Sequence, residues 1–565
     1  MDLIDSRLAT EAIENQFDQF KVVGRRKLAE PFEIGRFTGQ DVFAGDRFQG
    51  FSSEGQIHRV ARLVLKINRE ASKDRIDRPN PAETPASVHA EAAGRQSNER
   101  FDMVPLELSG RRHLLEFFSH NHQKLASPTG LGLLKVVSGQ NPREIAVEVL
   151  QRRGNNRFIE DLLEEALSRA SLSGPDRGLC QELVYGVVRW QATLDWLISR
   201  KASAPPKPLL QNLLRLGLYQ IFWLDRIPNH AAVNESVEIA KRKGLNSQAG
   251  FVNAVLRGHL REQEATRALL DELRKTDPAL AHSHPHWLFE RWRKQFGADA
   301  AIKLMEWNDQ PPKTYARINT LKVDVAKVLP MWREENVDYD FFTRPWCEEN
   351  LVFLLKSHPP LAQLASFRQG LFYVQDPSTL LAVRQLDPKP GEAVLDLCAA
   401  PGGKLTYIAQ LLKNEGKVLA HDVSSERVAL IRENSARLGI TCVRTILPEQ
   451  LSEIPPATMD RVLLDAPCSN TGVMRRRVEL RWRITEEEIR RLQSIQLDLL
   501  RRAALLLKPG GELLYSTCSL EPEENSVVVE QFLAEQPGFH EITRQQLLPW
   551  VEGVDGAFVS RLQRR

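Results

Sequence analysis

Cys468 and Cys518 each stand where an apolar run opens into small polar residues, in LLDAPCSNTGV (463–473) and YSTCS (515–519). A cysteine kept for packing usually lies inside an apolar run, whereas a thiol at the mouth of a strand is placed for reaction. Asp465 precedes the first thiol by one short turn of chain. A third motif, LDLCAAPGGK (395–404), runs from a buried strand through a tight turn into a helix. Its small residues Ala399, Ala400, Pro401, Gly402 and Gly403 let backbone approach a ligand closely. The helix start beyond them offers free N–H groups to a carboxylate. Cys398 opens this loop and Lys404 closes it. The next strand ends at Asp422, where a carboxylate can accept both ribose hydroxyls of an adenosine-containing cofactor. The same residue also reads as a helix N-cap. Two thiols, an acid and a glycine-rich loop at strand ends describe a reaction centre better than four packing accidents.

The elements that must carry these residues alternate strongly. From Gly391 the pattern is strand (GEAVLDL), glycine-rich turn, helix (LTYIAQLL), strand (KVLAHDV) and helix (ERVALIRENSARLG). DRVLLDAP, a long helix through EEIRRLQSIQLDLLRRAALLL, and GELLYSTCS follow. That order predicts a doubly wound α/β sheet, whose ligands bind outside the carboxyl ends of the strands. Every motif above falls at such an end. Between about 285 and 385 the pattern is mixed, with TYARINTLKV and GLFYVQD reading as strands. Residues 141–265 read as an all-α domain. It begins at NPREIAVEVLQRR, where an Asn-Pro pair initiates a helix, and it closes at AGFVNAVLRGHL. Trp190, Trp196 and Tyr219 read as its core. Residues 1–140 lack sustained periodicity, and the polar stretch from Asp74 to Arg100 is expected to be disordered. We read 1–140 as a disordered or non-native N-terminal extension.

Bulk properties exclude some classes. The 565 residues allow several domains, and 42% hydrophobic with 26% charged residues is ordinary globular composition. A net charge of +3 means that any nucleic-acid surface must be local. The six cysteines form no CxxC pair, which argues against a disulfide framework or a structural zinc site. No basic-then-apolar leader and no membrane-length apolar run are evident. The expectation is a cytoplasmic monomer without membrane or metal.

Together LDLCAAPGGK, LLDAPCS and STCS resemble the cytosine-C5 RNA methyltransferase family that includes the Sun/Fmu and nucleolar proteins, across about 285–565. Residues 141–265, with IPNHAAVNESVEIAK and AGFVNAVLR, are similar to the NusB-like RNA-binding domain of the subfamily acting on bacterial small-subunit ribosomal RNA; the closing DGAF resembles that subfamily too. The resemblance implies an all-α NusB-like domain (141–265), an α+β pre-catalytic RNA-binding subdomain (285–385) and a Rossmann-like class I methyltransferase domain (386–565). It implies Cys518 as the nucleophile that adds to cytosine C6, and Cys468 as the helper in product release. Asp465 would act at N3 of the base, and Lys404 would orient the base or activate the thiol. Cys398 to Lys404, with Asp422 and Asp465, would hold S-adenosyl-L-methionine. Addition of a thiolate at C6 makes C5 nucleophilic enough to accept a methyl group.

This sequence departs from the family pattern in three places. Asn470 stands where Gly or Ala is usual after APCS, and Met459 where Phe or Val is usual before Asp460. Pro448, with Glu449 beside it, stands where many members carry an acid near the cofactor adenine. Arg475, Arg476, Arg477, Arg481 and Arg483 in VMRRRVELRWR can bind phosphates and stack on splayed bases. Arg317 and Asn319 in ARINTLK occupy places that line the RNA path in family members. The target base must leave its stack to reach a thiol, so single-stranded or loop RNA is the expected partner. Competing readings are a DNA cytosine methyltransferase, a tRNA-directed relative, and a non-catalytic RNA-binding factor. The second cysteine argues against the first, the NusB-like domain against the second, and the intact Cys468, Cys518, Asp465 and Lys404 against the third.

Overall fold

The computed structural model describes residues 141–154 and 157–565, so the N-terminal extension lies outside the described residues. Helices fill the first part: Pro142–Arg152, Ile159–Arg169, Gly174–Arg189, Gln191–Ser199, Pro208–Trp223, Asn229–Arg242 and Asn246–Arg261. The Asn-Pro start works as expected, because the Asn141 side chain accepts a hydrogen bond from Arg143 N at 2.9 Å. One apolar cluster fills the space between these helices, with Leu183, Val187, Leu213, Leu216, Val252 and Leu256 at its centre. Tyr219 is buried in it, while Trp190 and Trp196 pack against its margin.

Two helices, His286–Phe296 and Ala298–Asp309, lead into a four-stranded antiparallel sheet. Its strands are β1 (Thr314–Ile318), β2 (Asp338–Phe342), β3 (Val352–Ser357) and β4 (Phe372–Val374), in the order β2-β3-β1-β4. The helix Val325–Glu334 covers it through the buried Trp332, which packs edge-on against Phe353 and Phe372. Two of the strands, β2 and β3, had no counterpart in the sequence reading.

The last part is the expected doubly wound sheet with an antiparallel addition. Its strands are β5 (Ala393–Asp396), β6 (Lys417–His421), β7 (Val443–Ile446), β8 (Met459–Asp465), β9 (Leu507–Thr517), β10 (Phe539–Leu547) and β11 (Ala557–Arg564). The order is β10-β11-β9-β8-β5-β6-β7. Strands β7-β6-β5-β8-β9 pair in parallel, while β11 pairs antiparallel with β9 and with β10. The central strands are continuous apolar runs because helices cover both of their faces. Met459, the departure before Asp460, is buried among Val462, Leu464 and Leu507. Among the described residues no helix is long and apolar enough to cross a membrane.

The arginine-rich segment after Cys468 is a seam between the parts. Val478 joins the core of the helical part and Trp482 packs against it. Met474 and Ile484 join a cluster with Leu288, Trp292 and Met305. Arg481 is fully buried and donates to Arg189 O at 3.1 Å and Asn308 O at 3.0 Å, with Asp309 at 3.1 Å. The Glu479 carboxylate, also buried, accepts from Arg153 Nε at 2.5 Å and from Ile159 N at 2.8 Å.

Candidate active site

The parallel order brings the carboxyl ends of β5, β8 and β9 side by side, and with them all three motifs. The β5 loop is fastened first. Ala399 N donates to His421 O at 2.8 Å and Ala400 N donates to the Asp422 carboxylate at 3.1 Å, tying the loop to the end of β6. Gly402 turns the chain at φ +106°, a conformation that side chains rarely adopt, and the helix Gly403–Leu411 starts directly after it. Asp422 does not cap the next helix. Ser424 does, accepting from Arg427 N at 3.3 Å, so the Asp422 carboxylate stays at the cavity end of β6 beside Arg427, at 3.1 Å.

A cavity of about 200 Å³ opens above this loop, lined by Asp396, Cys398 to Pro401, Gly403, Lys404 and Asp465. Tyr373, Val374, Gln375 and Thr379 complete its wall. These four come from β4 and the chain after it, and no local motif marks them. Asp396, at the end of β5, is 1% exposed and neither carboxylate oxygen has a hydrogen-bond partner. Burial, then the neighbouring Asp465, pushes its pKa up to about 8. An unpaired buried carboxyl in a cavity is costly unless a ligand answers it. It was overlooked because it reads as an ordinary strand residue. Burial also pushes the Cys398 thiol up, which suits a residue of the wall better than a nucleophile.

Lys404 and Asp465 face each other across the cavity floor, with Nζ 2.7 Å from the carboxylate. Ser516 donates to the other Asp465 oxygen at 3.0 Å. Burial works against the Lys404 charge, but Asp465, then Cys518 and Asp396, more than offset it and raise its pKa. Next to this pair stand the two thiols. The Sγ atoms of Cys468 and Cys518 lie 3.3 Å apart, and Cys518 Sγ donates to Asn470 Oδ1 at 3.0 Å. Asn470 sits at φ 58°, in the left-handed region that Asn tolerates, which is how it replaces the usual Gly or Ala. Its side-chain amide also donates to Cys468 O at 2.6 Å. The hydrogen bond with Cys518, and then burial, drive the Cys468 thiol well up from its ordinary range.

The two cysteine loops touch through backbone. Gly472 N donates to Cys518 O at 2.9 Å and Gly556 N donates to Gly472 O at 2.8 Å. A Cβ on Gly472 would stand 2.6 Å from Cys518 O and 2.8 Å from Gly556 Cα, so only glycine fits. This explains the closing DGAF, whose Gly556 and Asp555 both reach the Cys468 loop.

The expected RNA contacts need correcting at three positions besides the fully buried Arg481, which holds the helical part to the end of the helix Ala298–Asp309. Arg475 is 1% exposed, with Asp555 at 2.6 Å, Asp376 at 3.2 Å and the Trp307 ring 3.9 Å from its guanidinium carbon. Arg317 is equally buried. It donates to Gln375, to Gly403 O and to Thr406, each at 2.9 Å, pinning β1 to the helix that follows the glycine loop. The buried Asn319 side chain donates to Gly370 O and Leu438 O, each at 2.8 Å. All three hold protein to protein and keep no face for RNA. Arg476 pairs with Asp376 at 2.8 Å and with Asp555, yet remains half-buried, and Arg477 is exposed. Glu449 is exposed on the short turn Pro448–Glu453 after β7.

Three family models match the chain. The 16S rRNA methyltransferase RsmB/F model covers 383–563, the NusB family model covers 140–261, and the RsmF/B-like ferredoxin-like domain covers 284–353. A probable ribosomal RNA small subunit methyltransferase B of Bacillus subtilis (strain 168) is 37% identical over 75% of this chain and 98% of its own length. A probable counterpart of the same description from Synechocystis is 36% identical over 72% of this chain and 91% of its own. Among solved structures, the crystal structure of PH0851 superposes with a TM-score of 0.63 at 26% identity, covering 76% of this chain and 100% of that one.

Proposed function

The chain belongs to the family of ribosomal RNA small subunit methyltransferase B, S-adenosylmethionine-dependent enzymes with a NusB domain ahead of the catalytic one, and from that premise we propose that it methylates carbon 5 of one cytosine in 16S rRNA. The observation that carries the reading is the pair of thiols 3.3 Å apart beside the Lys404–Asp465 pair. A DNA-type cytosine methyltransferase needs only the thiol at position 468; two adjoining thiols fit a mechanism that forms an adduct with one and discharges it with the other.

Cys518 adds to C6 of a flipped-out cytosine, and N3 takes up a proton as the ring becomes an enamine. Asp465, oriented by Lys404 and Ser516, meets that N3 edge, where a carboxylate stabilises the protonated nitrogen. When bound, S-adenosylmethionine supplies the electrophilic methyl group that the activated C5 takes up. The residues suited to hold it are the loop Cys398 to Lys404 by backbone, Asp422 at the end of the neighbouring strand for the ribose hydroxyls, and the unpartnered Asp396 of the cavity for positive charge. Cys468, as thiolate, then takes the C5 proton, and Cys518 leaves C6 with its bonding pair, which restores the aromatic ring. Residues 141–265 and 285–385 supply RNA affinity and choice of site, with Arg476 and Arg477 as the most exposed arginines of the seam.

The test uses purified protein, labelled S-adenosylmethionine and deproteinised small-subunit rRNA from a strain lacking the gene. The expected result is 5-methylcytosine at a single position in that rRNA and none in tRNA. Label in tRNA alone would move the substrate to the tRNA-directed reading. RNA binding with no transfer to either would favour a non-catalytic factor.

A further inference from the structure

Both cysteines are followed by a serine, Ser469 and Ser519, and both serines turn inward onto one side chain. Glu524 is fully buried below the two loops. Its carboxylate accepts from Ser469 N at 2.8 Å, from the Ser469 hydroxyl, from the Ser519 hydroxyl at 2.5 Å and from Gln496 Nε2 at 3.0 Å. The two hydroxyls lie 3.1 Å from each other. Gln496 also donates to Pro467 O at 2.9 Å, so the long helix Glu486–Leu506 braces the Cys468 side of the same knot. On the Cys518 side, the neighbouring Asn525 donates to Ser519 O at 2.9 Å and accepts from the Thr517 hydroxyl at 2.6 Å. Tyr515 in β9 donates to Glu524 O at 2.5 Å, which fixes the backbone that carries the carboxylate.

We infer that Glu524 is a positioning residue for the reaction, a single carboxylate that locks the Cys468 and Cys518 loops in register so that the second thiol meets the adduct formed by the first. The inference rests on the two-thiol reading above. Glu524 itself does not reach the cavity. It acts one residue behind each thiol, and the two loops share no other side chain that accepts from both. Gly472 N to Cys518 O at 2.9 Å and Leu520 N to Thr471 Oγ1 at 2.9 Å also tie the loops, so loss of Glu524 loosens the thiols without separating the loops. Displacements near 1 Å at reacting groups cost about 100-fold in rate. Burial raises the Glu524 carboxyl pKa against the opposing pull of the serine hydrogen bonds. Either protonation state keeps an oxygen for each loop.

Glu524→Ala, Glu524→Gln, Ser469→Ala and Ser519→Ala test this in the full chain. For Glu524→Ala the expected result is a fall in kcat of roughly 10- to 100-fold, with KM for rRNA and Kd for S-adenosylmethionine unchanged. Glu524→Gln keeps a hydrogen-bonding group for each loop and restores most of kcat. The serine variants separate the two arms and cover the case in which Glu524→Ala does not fold. Ser469→Ala loosens the releasing thiol and raises the share of protein trapped on RNA, whereas Ser519→Ala loosens the attacking thiol and lowers it. A second readout needs no activity: the rate at which diamide closes a Cys468–Cys518 disulfide in RNA-free protein, read by peptide mass. This rate falls in Glu524→Ala. A folded Glu524→Ala with wild-type kcat and wild-type disulfide rate would overturn the inference, as would serine variants that change trapping in the same direction. If Glu524→Ala slows the disulfide while Cys518→Ala still methylates, the clamp stands and the two-thiol mechanism falls.

Discussion

Two buried carboxyls of the catalytic part, Glu524 and Asp396, are treated in opposite ways. Glu524, under the thiols, is saturated by donors from two loops and a helix, whereas Asp396, in the cavity, has no protein partner on either oxygen. A saturated buried acid holds its surroundings in place, and an unsatisfied one waits for something from outside. Asp376 and Asp555, closed around Arg475, repeat the saturated case. Breaking a saturated cluster is therefore expected to cost stability, and altering the unsatisfied acid to cost ligand.

The largest effect is expected at Arg475. Arg475→Met leaves Asp376 and Asp555 buried with only Arg476 to answer them, and should destabilise the fold by about 3–5 kcal/mol in denaturant titration. A loss of RNA affinity at unchanged stability would instead return Arg475 to the RNA surface. Next comes Asp396. Its folded pKa of about 8 lies above the ordinary carboxylate value, so the folded state keeps a proton that the unfolded chain has already lost. Stability of the ligand-free protein is thus expected to fall as pH rises from about 4 to 8, by at most about 1.4 kcal/mol per unit, and to level off above. A cationic ligand favours the ionised form, so affinity for S-adenosylmethionine should rise over the upper part of that window, by up to about 10-fold per unit. Asp396→Asn should weaken binding and flatten both profiles, as read by calorimetry. A pH-independent affinity in the wild type would refute the role given to Asp396. The smallest effect is at the exposed Arg477. Arg477→Ala should weaken rRNA binding a few-fold and reduce the salt slope by about 1, with stability unchanged.

The doubly wound sheet and the helical part were legible because apolar periodicity and strand–turn–helix order are local signals. LDLCAAPGGK, LLDAPCS and STCS were legible because small residues and thiols at strand ends are uncommon for packing. The arginine segment was misread for a physical reason. A run such as MRRRVELRWR looks like a solvent-facing charge patch until Asp376, Asp555 and Asp309 converge on it, and those acids lie far away in sequence. Glu524 was missed because LEPEEN reads as an exposed acidic turn. The available signal was the repeated Cys-Ser pair, which places two hydroxyls behind two strand ends and calls for a common acceptor. Strands β2 and β10 escaped because antiparallel edge strands, half exposed here, carry mixed polar patterns that local reading does not separate from loops.

The central claim is tested most directly by incubating wild type, Cys518→Ala and Cys468→Ala with small-subunit rRNA and S-adenosylmethionine and running denaturing gels for protein that stays on RNA. Cys468→Ala is expected to accumulate a covalent complex, the wild type to turn over with little trapped, and Cys518→Ala neither to trap nor to methylate. Methyl transfer by Cys518→Ala, or trapping that disappears with Cys468 and persists without Cys518, would contradict that claim.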